Sequence, residues 1–400
     1  MNAQFPVAEW WFAAYNAQGM HKITAFLKKE PMLTVSVIAA AVSLIITPPT
    51  VKLASEIDWR TLGTLFMMLC VLEGFKTENI FRPLIRLASR FDTMLKLSLF
   101  LIFGVFFTSM LVTNDVSLII FVPLTIMLFR AGGKERYILP VISMENIAAV
   151  RGSLLTPFGS PQNLFLYGQL DISAARFMLH MSPLCVMSAA LLVVFAAVLY
   201  RRDPKERIST PADDIAPAWA PERRTQRTAY IALFILIISV ILTRTALWPA
   251  AVVTVTAAMA VLDRNILKKV DYVLIATFLC FFIFSSSIAA NPRISAVLSR
   301  AVAGSEYWWA IGVSQIISNV PATIVLYPFS ENIAGLIYGA DTAGLCSLIG
   351  SLASVINYRI YVREYPGRGA AFIKTFTLIS WAFFAIVVVP GLLLTAWPFV

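Results

Sequence analysis

Long apolar stretches, separated by short basic tracts, limit the fold of this chain more than any other feature of its sequence. Hydrophobic residues fill 59% of the 400 positions and charged residues only 14%, which is more apolar surface than one soluble core buries. A membrane-spanning helix needs about 20 apolar residues, and an isolated strand cannot satisfy its backbone in lipid. The sequence therefore predicts an all-α polytopic membrane protein. Its nine candidate transmembrane helices are residues 31–48, 59–75, 137–167, 177–200, 228–246, 248–262, 272–290, 342–360 and 370–398.

Two further apolar stretches, residues 94–129 and 307–329, are interrupted halfway by polar residues. Basic residues flank both ends of the first stretch, so the positive-inside rule places both ends in the cytoplasm. A segment that leaves the membrane on the side where it entered is a re-entrant hairpin. The exit from the second stretch, residues 330–341, has no Lys or Arg, which favours a hairpin that enters from the outer face.

The same charge bias predicts the orientation of the whole chain. It places the N-terminal segment 1–30 and the loop 201–227 in the cytoplasm and the C-terminus outside, in the inner (plasma) membrane of a bacterium. A few isolated basic residues, such as Arg60, fall on the outer side, so the rule is a bias and not absolute. The first thirty residues contain no compact apolar stretch that ends at a small-residue cleavage site, so no signal peptide is expected.

The order of the segments predicts an internal duplication. Two spans, a hairpin and two more spans occupy residues 31–200, and the same order recurs in residues 248–400 from the opposite face. Residues 228–247 form the connector helix. Each repeat holds one broken helix, at residues 137–172 and 342–360. Inverted repeats with discontinuous helices are typical of secondary transporters.

Several classes of protein and site are disfavoured by the composition. The four cysteines lie far apart and only two histidines are present, so neither a disulfide framework nor a Cys/His metal site is expected. The net charge of +10 falls in tracts that orient membrane proteins, so no nucleic-acid partner is expected. No HExxH motif, intramembrane aspartate pair or GxxxxGK[ST] loop occurs, so we expect no enzyme and no cofactor beyond a coupling H⁺ or Na⁺.

Asp115 is the leading candidate for proton or ion coupling. It lies in the middle of an apolar hairpin, where an unpaired charge costs about 2.5–3.5 kcal/mol or more, so it needs a partner, a proton or an aqueous cavity. A structural role as a helix cap is the alternative, and both roles can hold together. Asn114 and Asn319 mark the two hairpin tips. Their amides either contact a solute and a cation or only tie the turns to neighbouring helices.

Two glycine-containing motifs interrupt helices at matched places. The first repeat contains Thr156-Pro157-Phe158-Gly159-Ser160-Pro161-Gln162-Asn163, and its two prolines must break the helical hydrogen-bond ladder. The freed carbonyls suit a cation, and the N-terminus of the half-helix suits an anion. In the second repeat Gly350-Ser351-Leu352-Ala353-Ser354 precedes Tyr358 with the spacing that separates Gly159 from Tyr167.

Glu145 and Arg151 are charged residues on the first broken span. Arg151 either pairs with Asp115 or provides the countercharge for an anionic solute. A structural tether between Glu145 and Arg151 is an equal alternative.

These motifs resemble those of the ion transporter superfamily, which includes arsenite/antimonite permeases, citrate-metal and dicarboxylate symporters and some sodium/proton antiporters. The likeness covers nearly the whole chain. It is carried, in order, by Thr113-Asn114-Asp115-Val116, residues 155–164, Ser318-Asn319-Val320-Pro321-Ala322-Thr323 and residues 350–354.

The resemblance implies a homodimer in the lipid bilayer, with a scaffold, a mobile transport domain and a solute held between the hairpin tips. It implies that substrate is bound by Thr113, Asn114, Ser318, Asn319, Thr323, Ser160, Asn163, Ser351 and Ser354. It implies coupling ions at the tip and helix-break motifs, where Thr156, Gly159 and Gly350 join Asp115, the coupling candidate already inferred from its position. Asp115 stands where dicarboxylate symporters usually carry Thr, which favours the arsenite-permease and antiporter branch, and Arg151 departs from the pattern altogether.

The leading functional hypothesis is a secondary active transporter of a small anion or oxyacid, either an inorganic oxyanion or a carboxylate, coupled to H⁺ or Na⁺ by alternating access. The nearest rival is a Na⁺/H⁺ antiporter without an anion substrate, which a cation gradient alone would drive. An ion channel is less consistent with the sequence, because a channel more naturally surrounds one axis with equivalent segments.

Overall fold

The computed structural model describes residues 30–49, 53–80, 87–208, 223–397 and 399. Within these ranges the chain forms α-helices and short 3₁₀ turns and has no β-strand, only an isolated bridge between Thr93 and Arg207. The predicted all-α polytopic class is therefore confirmed. The predicted segment 1–30, except Glu30, and most of the predicted loop 201–227 lie outside the described residues.

Seventeen α-helices occur in the described ranges. In chain order they are α1 Pro31–Ile46, α2 Leu53–Glu56, α3 Trp59–Thr77, α4 Met94–Val112, α5 Asn114–Ala131, α6 Ile138–Ser153, α7 Pro161–Gln169, α8 Ala174–Leu199, α9 Arg224–Thr243, α10 Trp248–Lys269, α11 Tyr272–Ala289, α12 Pro292–Val302, α13 Glu306–Ile317, α14 Asn319–Leu326, α15 Ile333–Ala343, α16 Leu352–Glu364 and α17 Gly369–Leu394.

Seven of the described helices are long and apolar enough to cross a membrane, namely α4, α5, α8, α9, α10, α11 and α17. Large apolar side chains stand exposed on several helices; Ile45 is 81% exposed, Val261 85% and Leu378 71%. A soluble protein rarely exposes so much apolar surface. Lipid is the environment that accommodates these surfaces.

Each hairpin turns at one residue with an unusual backbone conformation. Thr113 joins α4 to α5 at φ 76° and ψ 155°, and Ser318 joins α13 to α14 at φ 69° and ψ 160°. This region is essentially reserved for glycine, and other residues adopt it at a cost of about 1–3 kcal/mol. The two tips therefore store the same kind of strain, and they coincide with the tips inferred from the sequence.

The two broken helices have the same plan. Residues 154–160 separate α6 from α7, and residues 344–351 separate α15 from α16. The second broken helix begins at Ile333, earlier than the boundary predicted at residue 342. Asn332 caps this start by accepting a hydrogen bond from the Gly335 N–H at 2.9 Å. Because Gly339 has no side chain, α15 packs directly on the Tyr307 carbonyl of α13; a Cβ at Gly339 would lie 2.5 Å from this oxygen. The segment that was predicted to be an outer exit therefore packs as a buried helix.

The two halves of the chain cross over one another. The return arm α5 of the first hairpin packs on α16 of the second half, and the return arm α14 packs on α7 of the first half.

The helices α3 and α11 begin in the same way. Asp58 (φ −76°, ψ 78°) and Asp271 (φ −75°, ψ 79°) each accept a hydrogen bond at 2.9 Å from the backbone N–H three residues later. These matches favour duplication, and its inverted orientation in the membrane stays a prediction.

A buried glutamate clamps the base of the first hairpin. Glu206, only 8% exposed, accepts hydrogen bonds from Lys134 Nζ at 2.7 Å, Arg136 Nη2 at 2.8 Å and Tyr137 Oη at 2.5 Å. Its carbonyl accepts a further bond from the Met94 N–H at 2.8 Å. Burial acts to raise the pKa of Glu206, but the three donors outweigh it and lower the pKa to about 2.

The base of the second hairpin is clamped by a different kind of donor. Glu306, 2% exposed, accepts the backbone N–H groups of Glu331 and Asn332, each at 3.1 Å. Each hairpin thus has its own carboxylate at the base. Glu206 is bound mainly by charged side chains, and Glu306 is bound by neutral backbone amides.

Candidate functional site

A cavity of about 400 Å³ lies where the two hairpin tips and the second helix break approach one another. Asp115 from the first tip, Ser318 and Pro321 from the second, and Ile349 and Leu352 from the break all line it. Side chains of α1, α11 and α16 complete its wall. The volume is sufficient for a small organic solute.

Asp115 places a carboxylate at the end of this cavity. Its Oδ1 is buried and has no hydrogen-bond partner in the structure, while its backbone N–H donates to Asn114 Oδ1 at 2.9 Å. The side chain lies in the first turn of α5, where the positive end of the helix dipole stabilises a negative charge. The structure thus leaves one carboxylate oxygen of Asp115 available for a proton, a cation or water.

Three helices that begin at this cavity lack the usual side-chain cap. Thr113, Ser318 and Ser351 precede α5, α14 and α16, and none of them makes a side-chain capping hydrogen bond. Six other helices of the described chain are capped by the side chains of Asp58, Ser160, Ser173, Asp271, Asn291 and Asn332. Seven more, namely α1, α4, α6, α9, α10, α13 and α17, also lack a side-chain cap, so the distinction of the three is their place at the cavity. Uncapped helix N-termini carry free N–H groups and positive partial charge, which favours an anion.

The second break is held to the second hairpin by a chain of hydrogen bonds. The Asn319 N–H donates to the Gly350 carbonyl at 3.2 Å. Gln315 Nε2 donates to the Ala343 carbonyl at 3.2 Å, and Ser347 Oγ donates to Gln315 Oε1 at 2.7 Å. A Cβ at Gly350 would lie 2.4 Å from the Ala343 carbonyl oxygen. Only glycine therefore lets the break pack so closely on the end of α15.

The first break is closed by its own side chains. Asn163 Nδ2 donates to the freed carbonyls of Leu154 at 3.0 Å and Ser153 at 3.4 Å. Thr156 Oγ1 donates to the Met110 carbonyl of α4 at 2.5 Å. A Cβ at Gly159 would lie 2.3 Å from the Ser153 carbonyl oxygen, which repeats the geometry of Gly350.

The predicted site residues fall into groups in the structure. Asp115 and Ser318 line the cavity. Asn114, Asn319, Thr323, Ser351 and Ser354 are buried close by in chain position, at the tips and the second break, and Thr113 is the first tip itself. The first-break residues are not on the cavity wall; they are Thr156, Gly159, Ser160 and Asn163.

Arg151 is fully buried, and none of its three guanidinium nitrogens has a hydrogen-bond partner in the structure. Neither of its two predicted pairings, with Asp115 or with Glu145, occurs as a hydrogen bond in the described chain. Glu145 instead accepts the hydroxyl of Thr125. The acidic group that attracts Arg151 electrostatically is Asp341 on α15.

Asp341 and Gln162 were not among the predicted site residues. Gln162 Nε2 on α7 donates to Asp341 Oδ1 at 3.0 Å, and the other oxygen of each side chain is buried without a partner. This hydrogen bond joins the broken helices of the two halves, and no ion pair within 4.0 Å links Arg151 to Asp341 in the described chain. The sequence signal was a lone Asp in an otherwise apolar stretch, which the charge pattern had assigned to an outer loop. Among the described residues, no group of three or more His, Cys, Asp or Glu is placed to hold a metal ion.

Comparison with known proteins gives a family and two relatives. The family description "Citrate transporter" matches residues 23–336. The chain is 32% identical over 310 residues to "Inner membrane protein YbiR" of Escherichia coli (strain K12), which covers 76% of this chain and 81% of that protein. It is 29% identical over 308 residues to "Uncharacterized transporter MJ0456" of Methanocaldococcus jannaschii, with the same coverage of 76% and 81%.

Proposed function

Because the chain belongs to the citrate transporter family, we propose that it is a secondary active transporter of a small anion, in the first place a carboxylate, coupled to protons by alternating access. The observation that carries this proposal is the unpartnered Asp115 carboxylate in a cavity of about 400 Å³ between two strained hairpin tips. The proposed location is the inner membrane, with the basic loops in the cytoplasm and two copies forming a homodimer.

The anion would bind at the three uncapped helix N-termini that begin at Asn114, Asn319 and Leu352. The Asn319 N–H already donates to the Gly350 carbonyl and the Asp115 N–H to Asn114 Oδ1. The remaining first-turn N–H groups and the helix dipoles attract negative charge without carrying a formal charge of their own. The buried hydroxyls of Ser318 and Ser351 and the amide of Asn319 add donors beside them. This donor set suits a carboxylate, whose oxygens accept several hydrogen bonds at once.

Asp115 would bind the coupling proton. An unpaired charge within the bilayer costs about 2.5–3.5 kcal/mol or more, so movement of the site through the membrane favours a neutral Asp115. Binding of a proton removes the negative charge that would otherwise repel an anion in the same cavity. A sodium ion at this carboxylate would do the same. Thr156 and Gly159 at the first break, which lies off the cavity wall, and Gly350 at the second break would be candidate ligands of a further cation.

Arg151 would provide the countercharge for the anion. A guanidinium that is buried without partners is costly, so its charge must be balanced within the transport cycle. Asp341 attracts it in this structure. The arrival of an anion would offer Arg151 a second negative partner, while Glu145 stays bound to Thr125.

Purified protein in proteoliposomes tests the proposal directly. Uptake of labelled citrate and of simpler carboxylates is measured with an inward proton gradient, with a sodium gradient and with neither. The proposal expects saturable uptake that the proton gradient accelerates. Saturating carboxylate should also stabilise the folded protein, by about 2.7 kcal/mol at a hundredfold excess over Kd. Uptake of no anion under any gradient would overturn it.

A Na⁺/H⁺ antiporter without an anion substrate is the second candidate. The charged residues of the cavity favour it, because Glu30, Asp115 and Asp271 outnumber Arg359, and an acidic lining attracts cations. In the same proteoliposomes, a sodium gradient alone would then change the internal pH. This result, together with the absence of carboxylate uptake, would select the antiporter.

A further inference from the structure

The two ends of the molecule are in different states. At the end marked by Asp58, Gln169 Nε2 of α7 donates to Asp58 Oδ2 of α3 at 3.0 Å. Arg244 after α9 donates from Nη2 to the Tyr167 carbonyl at 2.6 Å, and its guanidinium lies 4.1 Å from the centre of the Tyr167 ring. Only about 20 Å³ of space is left there, about enough for one water. This end is closed.

The end marked by Asp271 is open. Asp271 at the start of α11 and Arg359 on α16 both line the wall of the 400 Å³ cavity, and both side chains are exposed. Among the ion pairs of the described chain, none within 4.0 Å joins either of them. The cavity extends from this end to Asp115 and Ser318 at the hairpin tips.

The residues of the open end correspond to those of the closed end. Asp271 matches Asp58 in backbone angles and in its capping bond. Arg359 follows Gly350 by the same number of residues as Gly168 follows Gly159. Gly168 lies beside the contact that its neighbour Gln169 makes, since a Cβ at Gly168 would lie 3.7 Å from Thr61 Oγ1 and 3.9 Å from Asp58 Oδ2. Arg359 therefore holds the position beside Asp271 that Gly168 holds beside Asp58.

We propose that Asp271 and Arg359 form an ion pair that closes this end of the molecule when the cavity collapses, as Asp58 and Gln169 close the other end here. The inference rests on the alternating access proposed above. Ile360 takes the place of Gln169 in the second half and cannot bond a carboxylate, so the neighbouring Arg359 is the group that can. In the open state water solvates both charges, so neither Asp271 nor Arg359 is left buried and unpaired.

Cysteine accessibility measures this closure without any substrate. The reporter is Ile349→Cys on the cavity wall, where Ile349 is 50% exposed, in a background without Cys70, Cys185, Cys280 and Cys346. A membrane-impermeant maleimide is applied from the open side of sealed vesicles. Loss of a partly exposed ion pair should raise the labelling rate in Asp271→Asn and in Arg359→Gln by roughly two- to fivefold. The matched control Asp58→Asn weakens the opposite end and should lower the rate.

Charge reversal distinguishes an ion pair between Asp271 and Arg359 from independent effects of the two single substitutions. Asp271→Arg and Arg359→Asp alone should each raise labelling, and the double reversal should return it toward the parent rate. A double reversal that adds the two single effects would overturn the pair, as would a lower rate in Asp271→Asn. Copper-phenanthroline oxidation of the Asp271→Cys/Arg359→Cys protein should form a cross-link that protects position 349, and Asp271→Cys/Ile360→Cys should not.

The labelling experiment tests the ion pair and the uptake experiment tests the proposed function, so the two proposals can be overturned independently. Carboxylate uptake that persists while the double reversal fails removes the ion pair and leaves the proposed function. Labelling that follows the prediction without any carboxylate uptake keeps the ion pair and removes the anion as the substrate.

Discussion

The two helical hairpins turn through the same backbone conformation, yet their arms differ greatly in length. The arms of the first, α4 and α5, have 19 and 18 residues, whereas α13 and α14 have 12 and 8. At about 1.5 Å per residue the first arms reach roughly 28 Å, close to the thickness of the hydrocarbon core, and the second only about 12–18 Å. The backbone conformation of the tip is thus the same in both hairpins, whereas the length of the arms that position the tip differs.

The long arms also constrain the predicted path of the first hairpin. Because each arm is long enough to cross the membrane alone, a re-entrant path requires the base to project beyond the lipid. The base carries the ionic clamp of Lys134, Arg136 and Glu206, whose charges belong in water. The second hairpin has short arms and a clamp of neutral amides, so its base can lie closer to the membrane.

The largest expected effect distinguishes the two tips by charge. Val320 stands in the second tip where Asp115 stands in the first. Asp115→Asn should abolish proton-driven uptake, because the amide cannot take up and release the proton, while exchange of solute without a gradient persists. Val320→Asn is the matched control and should retain proton coupling. Normal coupling in Asp115→Asn would remove this residue from the mechanism.

The next effect tests whether the two breaks are equivalent. Gly159→Ala and Gly350→Ala should each destabilise the protein by about 1–3 kcal/mol, because the new Cβ would overlap a backbone carbonyl. Gly312→Ala on α13 is the control. Its Cβ meets nothing within 4 Å, so the higher helix propensity of Ala should stabilise by up to about 1 kcal/mol. Thermal unfolding in detergent measures all three, and a harmless change at only one break would contradict their equivalence.

The ionic clamp at the base of the first hairpin should respond to pH. The folded-state pKa of Glu206 is about 2, below its ordinary 4.5, so its contribution is complete above pH 4.5 and is lost as the pH falls toward 2. Glu206→Gln should therefore cost about 1–2 kcal/mol at neutral pH, and the difference from the parent should shrink below pH 4. High salt should weaken this clamp. Unfolding curves of Glu206→Gln that stay parallel to the parent across this pH range would rule out the charge.

The smallest effect concerns the strain at the tips. Glycine adopts the φ of Thr113 and Ser318 freely, so Thr113→Gly and Ser318→Gly should each raise stability by up to about 1 kcal/mol after the entropy of the unfolded chain is counted. Uptake should fall, because a relaxed tip positions its donors less firmly. An increase in stability at one tip and a decrease at the other would show that the two turns are not equivalent.

The fold class and the tips followed from the sequence because lipid imposes simple rules. Polar residues in mid-membrane, such as Asn114 and Asn319, mark interruptions that no lipid-facing helix tolerates. The charge pattern assigned Asp341 wrongly to an outer loop, because the sequence alone does not distinguish a buried acid that is hydrogen-bonded to Gln162 from an acid in a loop. The hydrogen bond between Gln162 and Asp341 could not be predicted either, because these residues lie far apart in the chain and meet only through the packing of the two halves.

In the proposed transport cycle, the buried guanidinium of Arg151 would make the protein sensitive to membrane voltage. One elementary charge that crosses the whole membrane exchanges about 2.3 kcal/mol per 100 mV. A movement of α6 through a third of that field would involve about 0.8 kcal/mol, roughly a fourfold change in the populations of the two end states. If Asp341 moved with Arg151 and carried its negative charge, the displacement would be electrically silent. If Asp341 were neutral, the voltage would act on Arg151 alone and would bias the direction of transport.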